Sequence, residues 1–481
     1  MKSIHIFLAS LCLFFFSCVD YNTDSGFASE DDSSTENNEA RLWITNSTRV
    51  FLMKEVPVEY SSDITDLTVK IDPTVKYQTI DGFGGGLTGS SAYLFKQMSA
   101  AARAKVLKDL FDPKDGIGLE NIRLCIGSSD FSTSLYTYCD TQGIDNFAIP
   151  QTDKEDLIPV LKEILAINPN IKIIASPWSP PAWMKTSGQL NYGSLKPEYY
   201  ADFAEYFVKY VKAMSAEGIT IDAITLQNEP EFESYTHPSM LMPWETQSEI
   251  IGQYLGPRFA AENIKTKILT LDHNFDIYEY ALNVLNNSAA NNYTAGTAFH
   301  GYAGTPSVLD NMTAAFPDKS IYITELSGGG WNTGSEMETF LYYLKDFLVP
   351  SLQKGSSNFM MFNIALNTEH GPVTPGGTFC EDCRGIITVD GDNYTKELEY
   401  YMLGQFAKVC RTGAKRIKTS FIGTLPSNVT ATAFLNPDGS RSVVIVNESG
   451  NKVDLTVKDE STNKRLVYSL ANDAVASFLL K

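Results

Sequence analysis

Between residues 76 and 408 the chain repeats one pattern: a short apolar run, a helical or long connecting stretch, then another apolar run. The runs are YQTIDGFGG, NIRLCIG, IKIIASPW, IDAITLQNE, KILTLDHN, AGTAFHGY, SIYITEL and NFMMFNIAL. Near-continuous apolar runs of this length form strands buried on both faces, and parallel strands need a crossover helix to return. The connection PEYYADFAEYFVKYVKAMSAEG has that character, with apolar residues recurring at three and four and Gly218 as a stop. Eight such units predict a (β/α)8 barrel over 76–408 rather than a doubly wound sheet.

The Gly-rich DGFGGGLTGSS tests the doubly wound alternative. It spaces Gly82, Gly84 and Gly86 two apart, but a dinucleotide fingerprint needs its third glycine where Leu87 stands, and an acidic residue closing a second strand about twenty residues on. Neither is present, so no cofactor is expected and the glycines read as a tight first strand-to-helix turn. After Cys410 the pattern changes to short alternating strands, with NPDGS as a turn between two of them. The segments TRVFLMKEV and DLTVKIDP share that alternation. Residues 46–75 and 409–481 are therefore expected to pair as one discontinuous β-sandwich.

The first twenty residues, MKSIHIFLASLCLFFFSCVD, join Lys2 to an apolar run from Ile4 to Phe16 and then Ser17-Cys18. This is an export signal, too short for a stable membrane span. A small residue before cysteine resembles a bacterial lipoprotein cleavage site, with Cys18 lipidated; a plain signal peptide is the alternative. Residues 19–45 are acidic and poor in apolar residues, which makes them a tether. The expectation is an exported outer-membrane lipoprotein that touches the membrane only through its lipid. An excess of 57 acidic over 38 basic residues, net −19, excludes a nucleic-acid partner. The five histidines are scattered, and Cys380-Glu-Asp-Cys383 lacks a second ligand pair, so no metal is expected. That pair is read as a local disulfide or two free thiols.

Two of the eight runs end in glutamate, at Glu229 and Glu325, on what would be the fourth and seventh strands. Strand ends and the loops after them form the active face of such a barrel. Two facing carboxylates are what glycoside hydrolysis requires: one protonates the leaving oxygen, the other attacks the anomeric carbon or activates water. Pro230 is expected to end the fourth strand and bias Glu229 toward an extended conformation. Glu231, past the strand, reads as an ordinary loop carboxylate.

With those residues in place the chain resembles glycoside hydrolase family 30, the group containing glucosylceramidases and β-1,6-glucanases. The resemblance rests on DGFGGGLTGS, NIRLCIGSSDFS, ASPWSPPAWMKTSG, TLQNEP, AFHGY and YITELSGG, in order along most of the chain. It implies a retaining enzyme with Glu229 as general acid/base, holding its proton near neutrality, and Glu325 as nucleophile, kept ionised by Arg123. It further implies that Asn228 donates to the sugar 2-hydroxyl, that Asp130, Trp178, His300 and Tyr302 bind the sugar, and that Tyr235 lies near the nucleophile. Trp178 is expected to offer a ring face to pyranose C–H groups. Phe362 stands where glucosylceramidases carry Trp, which weakens transfer of their specificity. Trp331 and the Cys380 to Cys383 turn belong to loops expected to decide endo against exo action. The expected function is a monomeric retaining β-glycosidase acting on a carbohydrate substrate, with endo-β-1,6-glucanase ahead of an exo-β-glucosidase or glucosylceramidase. A carbohydrate-binding surface lipoprotein without catalysis is the alternative from another class.

Overall fold

The computed structural model describes residues 39–331, 334–377 and 380–481. Cys18, the export signal and residues 19–38 of the expected tether lie outside the described residues.

Eight parallel strands form the expected barrel: Gly82–Leu87, Asn121–Cys125, Lys172–Ser176, Ala223–Thr225, Lys267–Asn274, Thr294–His300, Ser320–Glu325 and Asn358–Met361. The first seven pair in chain order, and the eighth pairs with the first, Asn358 opposite Gly82. A bridge between Ile321 and Ser356, with Ile323 N donating to Asn358 Oδ1 at 2.8 Å, brings the seventh strand to the eighth and completes the ring. Ile174, Ala223, Leu269, Ala298, Tyr322 and Met360 pack together inside it. The lumen is thus a filled core, which leaves chemistry to the rim where the strands end.

The glycines lie within the first strand and not in the turn expected of them. A Cβ on Gly84 would fall 1.6 Å from the Asn121 carbonyl oxygen, and one on Gly86 2.7 Å from the Phe362 ring. Close approach of a neighbouring backbone and of an aromatic ring is therefore what requires them. The turn follows, where Thr88 caps the helix Gly89–Gln97 by accepting from Ser91 N.

The β-sandwich is discontinuous, as expected. Nine strands form one sheet whose order interleaves N- and C-terminal segments: Lys54–Val56, Arg41–Asn46, Ala474–Leu480, Arg441–Asn447, Val429–Leu435, Lys415–Ile422, Leu67–Thr79, Val453–Asp459 and Arg465–Leu470. Residues from both ends of this order meet in one apolar core. The fold begins earlier than the tether boundary at residue 45 implied, because Arg41–Asn46 pairs antiparallel with Ala474–Leu480. Strand alternation explains why it is held: Leu42 and Ile44 enter the sandwich core, whereas Trp43 enters the barrel's core cluster. Val443 and Ile445 against Val444 and Val446 divide the same way.

Helix Leu398–Ala407 fills the seam. Its Phe406 ring lies 5.6 Å from Phe83 of the barrel and 6.4 Å from Phe434 of the sandwich. Gln405 Nε2 donates to Thr45 Oγ1 at 2.7 Å. Trp43→Ala is expected to destabilise the protein by about 3–5 kcal/mol, as measured by urea unfolding. A loss below about 1 kcal/mol would mean that this strand does not fasten the two cores.

Candidate active site

Glu325 is the last residue of the seventh barrel strand; Glu229 lies past the end of the fourth, which closes at Thr225. Its φ is +48°, left-handed instead of the extended form that Pro230 favours. Tertiary bonding overrides the local preference: Glu229 N donates to Asp272 O at 2.9 Å, and Pro230 O accepts from Met242 N at 2.7 Å. Glu231 is exposed, the loop carboxylate it was read to be.

Both carboxylates face His300, which ends the sixth strand. Its Nδ1 lies 3.1 Å from Glu229 Oε1 and 3.7 Å from Glu325 Oε2, while Nε2 lies 3.0 Å from Asp272 Oδ1. The two carboxylates thus approach one shared ring nitrogen. Glu325 also pairs with Arg123 Nη1 and accepts from Tyr302 Oη at 2.9 Å. Arg123 Nη2 donates to Asp272 Oδ2 at 2.7 Å and to Asn228 Oδ1 at 2.8 Å. With its oxygen occupied, Asn228 is left with its amide N–H groups to offer a sugar.

The proton positions follow from this wiring. Burial opposes ionisation of Asp272, but the Arg123 charge and donors from His300 and Thr225 outweigh it and hold the carboxyl well below its usual range. An ionised Asp272 makes His300 Nε2 a donor, so Nδ1 and Glu229 share a single proton. Burial works against a charged imidazole, yet Glu325, Asp272 and Glu229 raise His300 to about 10. Burial opposes ionisation of Glu229, but the His300 hydrogen bond and the charges of His300, His273 and Arg123 together outweigh it, so this carboxyl is correspondingly lowered. The proton therefore sits on His300, one hydrogen bond from Glu229, and not on Glu229 as expected. Burial pushes Glu325 above its usual value despite His300 and Arg123, with Glu229 and Asp272 adding to the rise. Arg123 alone does not depress it. Burial, helped by Glu325 and Glu229, also raises Asp130 to about 8. Its Oδ1 is buried without a hydrogen-bond partner.

Other expected residues divide. Trp178 is only 3% exposed; the Arg123 guanidinium lies 4.7 Å from its ring centroid and the near-parallel Phe362 ring 5.7 Å away. It is a buried wall that seats Arg123 and not an open platform, because Cys125, Phe131, Phe362 and Leu366 enclose it. Tyr235 is 74% exposed and packs on Tyr192 at 4.8 Å; the tyrosine that donates to Glu325 is Tyr302. Trp331, 49% exposed, covers Gly329 at the rim. Cys380 and Cys383 form a disulfide, and Gly328–Gly329 pairs with Cys383–Arg384, tying together the loops after strands seven and eight.

Three participants were missed: Asp272, His273 and Asn363. Both amide atoms of buried Asn363 lack a partner. Asp272 and His273 sit at the end of the run KILTLDHN, the same signal of polar residues closing an apolar strand that marked Glu229. The histidines are less scattered than they read, since Glu229, His273 and His300 offer ligand atoms within 4.8 Å of one another.

Comparisons with known proteins agree with this fold. The model of the glycosyl hydrolase family 30 TIM-barrel domain matches residues 80–410, and that of the family 30 beta sandwich domain matches 413–478. The chain is 33% identical to the endo-1,6-beta-D-glucanase neg1 of Aspergillus fumigatus, over 84% of this chain and 86% of that relative. It is 30% identical to the lysosomal acid glucosylceramidase of Mus musculus, over 82% of this chain and 80% of the relative. Among solved structures it superposes on the endo-beta1,6-glucanase BT3312 with a TM-score of 0.87 at 35% identity, covering 92% of this chain and 99% of that one.

A His300→Gln variant is expected to lower kcat/KM by about 10- to 100-fold. An imidazole raised to about 10 keeps its proton to high pH and loses it as the pH climbs through that value. Without it Glu229 must hold the proton alone, so the alkaline limb of the pH–rate profile should move to lower pH. A limb that stays in place would refute the shared proton.

Proposed function

The chain belongs to glycosyl hydrolase family 30, a family of retaining glycosidases, and we propose that it is an endo-β-1,6-glucanase working by double displacement. The observation that carries the chemistry is the pair Glu229 and Glu325, from opposite sides of the barrel mouth, meeting at one nitrogen of His300. The substrate class is supported by the β-1,6-glucanase relatives, which cover most of the chain. Phe362, an indole-free wall in the sugar pocket, agrees with a specificity other than that of glucosylceramidases.

In the first half-reaction Glu325 Oε attacks the anomeric carbon while the proton shared by His300 and Glu229 passes to the departing sugar oxygen. The C1–O bond to the leaving sugar breaks and a glycosyl ester with Glu325 forms. In the second, Glu229 takes a proton from water, the water oxygen attacks C1, and Glu325 leaves as a carboxylate. Arg123 and Tyr302 hold Glu325 in line and receive its charge when it departs. Asn228 donates to the 2-hydroxyl, a contact that strengthens in the transition state.

We read the protein as exported and lipid-anchored through Cys18. The support is the sequence alone: Lys2, the apolar run and Ser17-Cys18, followed by an acidic tether suited to presenting a domain to a polymer.

Early digestion of linear β-1,6-glucan is expected to release a ladder of oligosaccharides, with Glu325→Gln about 10³-fold slower or worse. Glucose as sole product would mean exo action, and silence on all β-glucans would favour a binding protein. Cys18→Ala should shift the protein from the membrane to the soluble fraction; retention in the membrane would sink the anchor.

A further inference from the structure

The fifth barrel strand ends in an irregularity with a chemical consequence. Leu271 and Asp272 are both left-handed, with φ of +68° and +72°, and the register against the sixth strand shifts between Leu271 and His273. In a regular strand the adjacent side chains of Asp272 and His273 would point to opposite faces. Here the bulge turns both into the active site. Gln247 pins it from a neighbouring helix: its Oε1 accepts from Leu271 N at 3.0 Å and from Thr270 Oγ1 at 2.5 Å. Two successive non-glycine residues in this region are strained, and such strain persists where surrounding structure over-determines it, typically at functional sites.

Asp272 uses the turn to reach Arg123 and His300. His273 gains no such bond. The residue is 8% exposed, and its Nδ1 is shut off from solvent without a hydrogen-bond partner. The atom it faces is Glu229 Oε1, at 3.6 Å, just beyond hydrogen-bond reach. That oxygen is engaged by His300 Nδ1 at 3.1 Å in the resting site. Once the shared proton has gone to the leaving sugar, His300 keeps only the hydrogen on Nε2, which Asp272 holds. Its Nδ1 then presents a lone pair to an ionised Glu229, and the attraction between them is lost.

We propose that His273 is the positioning residue of the second half-reaction, its Nδ1–H donating to Glu229 Oε1 in the glycosyl-enzyme and holding the ionised base where it meets the attacking water. This rests on the reading of Glu229 as acid/base. A shift of about half an ångström by the carboxylate brings the bond into range. Nothing leaves His273: the water proton goes to Glu229 and restores the pair with His300, while the water oxygen bonds to C1 and Glu325 is released. Burial lowers the His273 pKa against the pull of Glu229, which favours the neutral ring that such a single-donor role uses.

The test uses 2,4-dinitrophenyl β-gentiobioside, whose aryl group departs without a proton, so that only the second step needs the base. His273→Phe should lower kcat about tenfold and KM in parallel, leave kcat/KM near wild type and show a burst of one dinitrophenolate per enzyme. Azide should restore turnover by replacing the water that needs a base. His273→Asn, whose amide nitrogen stands where Nδ1 does, should stay within about threefold of wild type, and His273→Ala, which adds no bulk, should behave as the Phe variant. Loss of kcat and kcat/KM together, without burst or azide rescue, would overturn the role. Wild-type rates in both donor-free variants would overturn it alone. A wild type inactive on this substrate would overturn the glucanase reading and this role with it.

Discussion

A guanidinium sealed from water organises the upper face of the barrel. Arg123, in the second strand, is pinned by Asp272 from the fifth, Glu325 from the seventh and Asn228 from the loop after the fourth, with the Trp178 ring against it. Desolvating such a charge is expensive, and removing one partner of a buried pair typically costs about 3–5 kcal/mol because the other is left uncompensated. The contact thus fixes the positions of elements far apart in the chain. It also seats Glu325, orients the Asn228 amide beside Glu229 and keeps Asp272 ionised.

The ionised Asp272 sets the proton arithmetic of the site. Four carboxyl groups, Glu229, Glu325, Asp272 and Asp130, surround one arginine, and burial penalises each negative charge. The imbalance is relieved by raising His300 to about 10 and Asp130 to about 8, which keeps protons in the pocket near neutrality. A general acid that borrows its proton from a neighbouring imidazole needs no strongly raised pKa of its own, and this reconciles a lowered Glu229 with the acid/base part we propose for it.

Strain is concentrated in the same place. Glu229, Leu271 and Asp272 are left-handed without being glycine, and the first and last are joined by the bond from Glu229 N to Asp272 O. The filled lumen below and the sandwich fastened by Trp43 and helix Leu398–Ala407 supply a rigid frame in which such conformations persist.

The strand-helix alternation determined the barrel, because buried parallel strands leave an apolar signature and helices a periodic one. Polar residues that close an apolar run are conspicuous and marked the two glutamates, whereas the other expected site residues came from the resemblance to family 30. Local reasoning failed where a neighbour overrode it. Pro230 favours an extended Glu229, but bonding to Asp272 wins; Trp178 carries a ring fit for stacking, but Arg123 and Phe362 take its faces. Strict alternation separates Asp272 from His273, and a bulge that depends on pairing with the sixth strand and on Gln247 brings them together. The sequence by itself determined the two glutamates and the strand ends on which a site would form, but not that Asp272 and His273 belong to it. Only the tertiary structure decided which groups share a proton, because hydrogen bonding and desolvation depend on distances and burial that no spacing along the chain encodes.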